Sequence, residues 1–381
     1  MTPPSSFRQV ELTFTESLAV ATDIAVRAPS SHNSQPWGLG HVVSDLARRR
    51  AAALCGESGA GSEFLLLAAD QARELVALPA HHAEMQLSCG LFWRLLQRAL
   101  AAQGWLVRAV ATPADADLGV LGIPPGWRPL RLVRFQRTGA STESLTLLRH
   151  LATTRHTDRG PYLDKAIPAA VLDRLADLGA DGQRRLHVRY LTSRDDRARF
   201  VRFVARHAGR DFAHHRAWRE THSFIRRTAA QASECGDGFT FEHLFGPLSY
   251  PQILLRRIAL APFTMRALSR TGFPRILAEQ LATVVRRSPA VVTLSLPASA
   301  GGDDDLLTAG ELVADFWLLA TAADLTLHPI SIVVQHEDLR DLLQSELMLR
   351  GQLLFVARLG YSKHHYPPSP RRDPAASLRA L

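Results

Sequence analysis

Lysine is almost missing from this chain: Lys165 and Lys363 are the only two among 45 basic residues. Cysteine is scarce too. Cys55, Cys89 and Cys235 are too few and too far apart for a disulfide framework or a zinc knuckle, so a reducing, cytoplasmic setting is expected. No stretch of 18 residues is free of charge, which argues against a membrane-spanning helix. The first residues, Met1 to Arg8, lack the apolar core of a signal peptide. G-x-G-x-x-G, G-x-x-x-x-G-K, H-E-x-x-H and C-x-x-C are all absent, which removes the motif-based case for dinucleotide, P-loop and zinc chemistry. The pairs His81-His82, His214-His215 and His364-His365 do not restore a metal reading. Neighbouring side chains on a helix point about 100° apart and make no ready chelate.

What is present is arginine. With 45 Lys+Arg against 36 Asp+Glu the net charge is +9. Guanidinium forks suit phosphate and carboxylate, so an anionic ligand or partner is a candidate. The arginines are scattered and no basic-aromatic stripe accompanies them, so nucleic acid is not an expected partner. At 46% hydrophobic and 21% charged residues over 381 positions, the chain has the composition of a globular protein with a sizeable core.

Periodicity predicts helices over 14–28, 89–103, 142–152, 168–178 and 309–324, and a long polar helical stretch over 194–232. Strands are expected near 39–43, 105–110, 131–135, 186–191, 290–296, 325–328 and 353–359, with a mixed pattern at 63–78 and a loop over 111–130. The tail 361–381 is rich in proline and arginine. An internal echo runs through this pattern. Leu87-Ser-Cys-Gly90 and Leu307-Thr-Ala-Gly310 each open an expected helix, and an expected strand starts fifteen residues after each glycine, at Trp105 and Leu325.

The most unusual string is Arg27-Ala-Pro-Ser-Ser-His-Asn-Ser-Gln-Pro-Trp37. Its uncharged hydroxyls and amides offer the alternating donors and acceptors that match the edge of a pyrimidine-like ring. The string resembles the P-S-S/G-x-N-x-Q-P-W run that lines the flavin in nitroreductases. A second run, Arg155-His-Thr-Asp-Arg159, resembles the family's R-x-S/T-x-R grip on the FMN phosphate, and Arg371-Arg372 resembles its basic pair near the chain end. Leu327-His-Pro-Ile-Ser-Ile332 matches the backbone segment that passes flavin N5, although many members have Glu-Gly where this chain has Ser331-Ile332.

The resemblance implies FMN held by Arg27, Pro29, Ser30, Ser31, His32, Asn33, Gln35, Arg155, Thr157, Arg159, Pro329, Ser331, Ile332 and Arg371, with no metal and no assigned catalytic side chain. The order of the runs is informative. Typical members are intertwined homodimers in which the arginine run precedes the amide run in one chain, and each flavin takes the two runs from different subunits. Here each run occurs once, in reverse order and far apart. The chain is therefore similar to the twin, Acg-like group, in which one polypeptide imitates the dimer.

That resemblance implies an α+β nitroreductase-like fold of two pseudo-twofold related halves, each a sheet flanked by helices. The halves are expected at 1–140 and 141–381, with a helical lid or insertion at about 200–287. It implies one FMN per chain, a competent monomer, and hydride transfer through flavin N5 from NAD(P)H to a small molecule. An FMN-sequestering protein with little turnover, or a degenerate scaffold without flavin, are the alternatives. Residues 239–287 interleave apolar side chains with arginines; a core or lid role is favoured there over membrane contact, which is not expected.

Overall fold

A computed structural model describes residues 12–56, 61–139, 143–177, 186–364, 366 and 368–381. The expected boundary between the halves, at 140 and 141, lies outside the described residues.

The first helix, Phe14–Ala25, begins at Thr13, whose hydroxyl accepts from the Glu16 N–H (3.3 Å) while the Glu16 carboxylate accepts from the Thr13 N–H (2.8 Å). This reciprocal cap satisfies two end donors. The stripe Leu18, Ala21, Ile24 and Ala25 is buried. Strands β1 (Trp37–His41), β2 (Ser62–Asp70), β3 (Trp105–Ala111) and β4 (Trp127–Arg137) build one sheet, and β5 (His187–Leu191), β6 (Ala290–Leu296), β7 (Thr326–Pro329) and β8 (Gln352–Gly360) build another. The second sheet is antiparallel throughout, in the order β5-β6-β8-β7. Every residue of β6 is buried, as suits a central strand covered on both faces. The chain then returns: β9 (Leu378–Ala380) pairs in parallel with β1, Leu378 opposite Leu39, and closes the order β3-β4-β2-β1-β9.

Between β5 and β6 the chain forms eight helices spanning Arg194 to Arg286. The long polar stretch expected at 194–232 is divided into the helices Arg194–His207, Gly209–Ala213, His215–Ser223 and Ala229–Cys235. Among the described residues, no helix is long and apolar enough to cross a membrane.

The two longest helices, His81–Ala101 and Asp303–Ala322, pack against each other at the centre of the molecule. Both start earlier than their apolar pattern suggests. Polar first turns disguise them as loop, yet Asp303, Asp304 and Asp305 complement the positive end of a helix, and Asp305 accepts from the Gly302 N–H (3.1 Å). Gly90 and Gly310 therefore do not open their helices; they lie inside them. A Cβ on Gly90 would meet the Leu307 carbonyl oxygen and Gly310 Cα, and a Cβ on Gly310 would meet the Leu87 carbonyl oxygen. Both carbonyl contacts would fall well inside the 3.0 Å that real Cβ atoms respect. The contact is reciprocal, as a pseudo-twofold axis through the crossing requires. One main core runs through both halves, from Phe14 to Leu359.

Gly90→Ala and Gly310→Ala should each lower stability by about 1–3 kcal/mol, because backbone must move to admit the methyl group. Gly272→Ala, which meets nothing within 4 Å, should shift it by less than about 0.5 kcal/mol. Thermal melting of the three variants side by side checks the crossing.

Candidate functional site

The helix Leu145–Thr154 ends at Arg155, and the following run is pinned along β7. Thr157 bridges to Leu327, and the Asp158 N–H donates to the Leu327 carbonyl (3.1 Å). Arg358 of β8, fully buried, donates to the Gly160 carbonyl (2.8 Å), the Ser288 hydroxyl (2.6 Å) and His328 Nδ1 (3.0 Å). From the other side comes the segment after the first helix. It bends through left-handed backbone at His32 (φ 51°), Asn33 (φ 55°) and Gln35 (φ 52°), none of them glycine. The Ser30 hydroxyl accepts from the Gln35 N–H (3.0 Å), and the Ser31 N–H donates to the Ser88 hydroxyl (3.2 Å). Such a tight, uphill bend persists only when its surroundings hold it, and it is a feature of functional sites.

The two runs meet at a cavity of about 170 Å³. Of the residues expected from the sequence, Pro29, Ser30, Ser31, His32, Thr157, Arg159, Pro329 and Ser331 line it. Ser331 opens a short turn, Ser331–Val333, whose first N–H groups have no acceptor within the turn. Sequence reasoning missed the rest of the wall: Glu84, Leu87, Ser88 and Leu91 of one long helix, Val313 and Trp317 of the other, Val334, and Leu354 to Val356 of β8. The echo around Gly90 and Gly310 was the available signal for the helical part.

Arginine dominates the electrostatics. Arg155 is 7% exposed, and among the described residues its Nε and Nη1 have no hydrogen-bond partner. Its remaining nitrogen donates to the Arg27 carbonyl (3.1 Å), and its guanidinium lies 4.9 Å over the Trp317 ring. Burial, reinforced by the positive charge of Arg371, pushes Arg155 down to about 9. Burial likewise pushes Arg371 down to about 10, with Arg27 adding to the effect. Arg159 is pushed down to about 10 by burial, against the pull of Tyr366, Asp158 and Tyr162. Among the described residues none of the three forms an ion pair within 4.0 Å. Desolvated cations without anions are costly. Their arrangement fits an anion that carries several acceptor oxygens. His32 is held neutral, down to about 3, by burial first and then by His81 and Arg159.

Other expected residues sit behind the wall. The Asn33 amide donates to the carbonyls of Gly238 (2.9 Å) and Pro370 (2.9 Å), and its oxygen accepts from Arg371 (2.8 Å). Gln35 donates to the Gly236 carbonyl (2.8 Å) and accepts from the Arg372 N–H (3.1 Å). These amides tie the bend to the 236–238 loop and the tail, and so set where Arg371 points. Arg27 contributes its main-chain carbonyl, which accepts from Arg155 and from Arg371 (3.3 Å). Ile332 is buried in an apolar cluster. Arg372 is no solvated tail residue, since it also donates to the Gln35 carbonyl (3.3 Å).

The pseudo-symmetric position is built differently. Taking Gly90 and Gly310 as equivalent puts Glu84 opposite Asp304, Ser88 opposite Thr308 and Leu91 opposite Glu311. On that second side Arg131 fills the space. It donates to Asp304 (2.7 Å) and Thr308 (2.8 Å) and pairs with buried Glu311. Strand register, counted from Leu106 opposite Gln136 and Thr326 opposite Gly360, makes Phe355 the equivalent of Arg131. Phe355 lines the cavity. One side is an arginine already paired; the other is a cavity beside arginines that are not.

Comparison with known proteins adds the following. No family model matches the chain. PigM of a Serratia species, named as a probable NAD(P)H nitroreductase, is 31% identical over 363 residues, which cover 94% of this chain and 92% of PigM. The solved structure of a nitroreductase candidate from Anabaena variabilis superposes with a TM-score of 0.50 and 10% identity, covering 88% of this chain and 82% of that one. The FMN-dependent nitroreductase NfnB of Mycobacterium smegmatis, solved with NADPH, aligns with a TM-score of 0.38 and 14% identity over 62% of this chain and 98% of its own.

The arginine cluster carries a stability cost with a definite sign. Folded-state values near 9 and 10 lie below the usual arginine range but above neutral pH. The side chains are thus charged at pH 7 in both folded and unfolded states, and the folded protein bears the whole penalty there. Arg155→Met should therefore raise the melting temperature of the ligand-free protein. Inorganic phosphate should raise that of the wild type and raise the variant's by less. Differential scanning calorimetry with and without phosphate reads both effects.

Proposed function

The chain belongs to the nitroreductase family, and from that premise we propose that it is an FMN-dependent oxidoreductase, fed by NAD(P)H, that reduces a small-molecule acceptor. One observation carries the reading: three desolvated guanidiniums without carboxylate partners stand beside and within the wall of a cavity between the two long helices. The unpartnered Nε and Nη1 of Arg155 and the Nε of Arg371 are what a phosphate monoester would satisfy, so the residues present fit FMN.

In this reading Arg155, Arg159 and Arg371 hold the phosphate, with Thr157 as a hydroxyl donor. Pro29 to His32 bound the ring system, and the main chain at Pro329 and Ser331 faces it. Asn33 and Gln35 act as positioning residues, fixing Arg371 and the bend. Neutral His32 adds no positive charge and leaves phosphate affinity to the arginines. When bound, FMN supplies the two-electron carrier between nicotinamide and acceptor. The chain supplies the rest: it orients the ring, excludes water with Leu87, Leu91, Val313 and Trp317, and keeps donors fixed where negative charge collects.

The helices between β5 and β6 serve as a cover. Thr221 lies 3.5 Å from His32, and the His243 carbonyl accepts from Arg159 (3.2 Å). The two halves imitate a dimer, in the manner of the twin, Acg-like group, and the Arg131 cluster explains why the second site is lost.

Purified protein should absorb near 450 nm, bleach rapidly on anaerobic mixing with NAD(P)H and regain its colour with a nitroaromatic or quinone. A flavin that stays oxidised would favour sequestration; a colourless protein that takes up no FMN would sink the flavin reading. Titration of apo-protein while following molecular mass should give one FMN per 381-residue chain, bound by the monomer. Arg155→Ala and Arg159→Ala should each weaken FMN by about 2–5 kcal/mol. Affinity should rise as pH increases through about 6, where a phosphate monoester loses its second proton.

A further inference from the structure

Glu84 lies in the first turn of its helix and lines the cavity. Among the described residues its carboxyl group has two hydrogen-bond partners, and neither is a cation. The Ser31 hydroxyl meets one oxygen, and the Gln335 amide donates to the other (2.9 Å). Its pseudo-symmetric equivalent, Asp304, is instead 78% exposed and paired with Arg131. The chain thus keeps an acid at both positions and neutralises only the one outside the cavity.

The groups around Glu84 are engaged elsewhere or carry no positive charge. On its own helix, His81 Nδ1 lies 2.9 Å from Glu220 Oε2 of the helix His215–Ser223. Glu220 also accepts from the N–H groups of Val76 (2.7 Å) and Ala77 (3.2 Å). His81 is therefore engaged by Glu220, not by Glu84. Asp211, from the helix Gly209–Ala213, adds negative charge, and His336, N-terminal to the helix Glu337–Leu347, lies 3.4 Å from Asp211. Neutral His32 adds none of either sign, and among the described residues Arg159 is the one cation in the cavity wall. Burial raises the Glu84 carboxyl above the ordinary range. His81, Ser31 and Gln335 pull the other way, and Asp211 raises it further.

We propose that Glu84 is the proton donor of the proposed reductase: its carboxyl group, held by Ser31 and Gln335 at the cavity wall, protonates an acceptor oxygen as the acceptor takes hydride from the reduced cofactor. For a quinone, hydride and the Glu84 proton together give the hydroquinone. For a nitro group, one N–O bond breaks and hydride and proton leave with that oxygen as water, giving the nitroso compound. The Glu84 carboxylate left behind regains its proton from solvent. Hydride and proton then enter from groups fixed in one cavity, as general acid catalysis requires.

This inference rests on the flavin reading, and its test separates the two. Glu84→Gln keeps a carbonyl for the Gln335 amide and offers the Ser31 hydroxyl an amide N–H in place of the acidic O–H. FMN content and the rate of bleaching by NAD(P)H should match the wild type. Reoxidation by menadione or nitrofurazone should slow about 100-fold relative to reoxidation by ferricyanide, which takes an electron and no proton. Infrared spectra of wild type minus variant at pH 7 should contain the C=O band of a protonated carboxylic acid. An equal slowing with all three acceptors would reduce Glu84 to a structural residue and overturn the proposal. So would the absence of that band, whatever the flavin does. A wild type that NAD(P)H cannot reduce would remove the flavin reading and this inference with it.

Discussion

The close crossing of the two long helices at Gly90 and Gly310 is the constraint on which the rest depends. Backbone meets backbone there, with no side chain between. That approach fixes how far apart the flanking turns lie, and the cavity wall is made of those turns. Leu87, Ser88 and Leu91 come from one helix, Val313 and Trp317 from the other. A wider crossing would separate these groups and lift Trp317 away from Arg155. The same contact relates the two halves, since each glycine receives the other helix in the same way.

Near symmetry makes the differences readable. Both sides carry an acid six positions before the glycine and a hydroxyl two positions before it. On one side Arg131 engages Asp304, Thr308 and Glu311, a compact and satisfied cluster. On the other the arginines are left with idle nitrogens and the acid with a hydroxyl and an amide for partners. Satisfied charge is inert; unsatisfied charge is an address for a ligand, and it is maintained at the expense of stability. The bend at 29–35 adds backbone strain to the same side.

Much of this was legible in the sequence. The runs at 29–37 and 155–159 are short and chemically unusual, and they lie where local chain geometry keeps them together. The Leu-Ser-Cys-Gly and Leu-Thr-Ala-Gly echo pointed to the crossing, although it suggested helix starts where the structure has helix centres. Polar first turns hid those starts, because helix ends favour acids that periodicity scores as loop. Trp317, Phe355 and Glu84 could not be found by reading along the chain, since only the crossing and the register of β8 bring them to one place. The roles of Asn33 and Gln35 were hidden for a related reason. A ligand edge and a carbonyl of a distant loop ask the same of an amide, and only packing distinguishes them.

The return of the chain to β1 also sets a timetable. Arg371 follows every other residue of the site in sequence, and its neighbour Arg372 is clasped by Gln35. During synthesis the ribosome releases the bend, the long helices and the second sheet before it releases this arginine. An unfinished chain can therefore collapse around its core while still lacking part of the proposed anion grip. On that proposal ligand capture becomes a late event, coupled to docking of the tail, and a molecule loaded with ligand is one whose tail has been made and put in place.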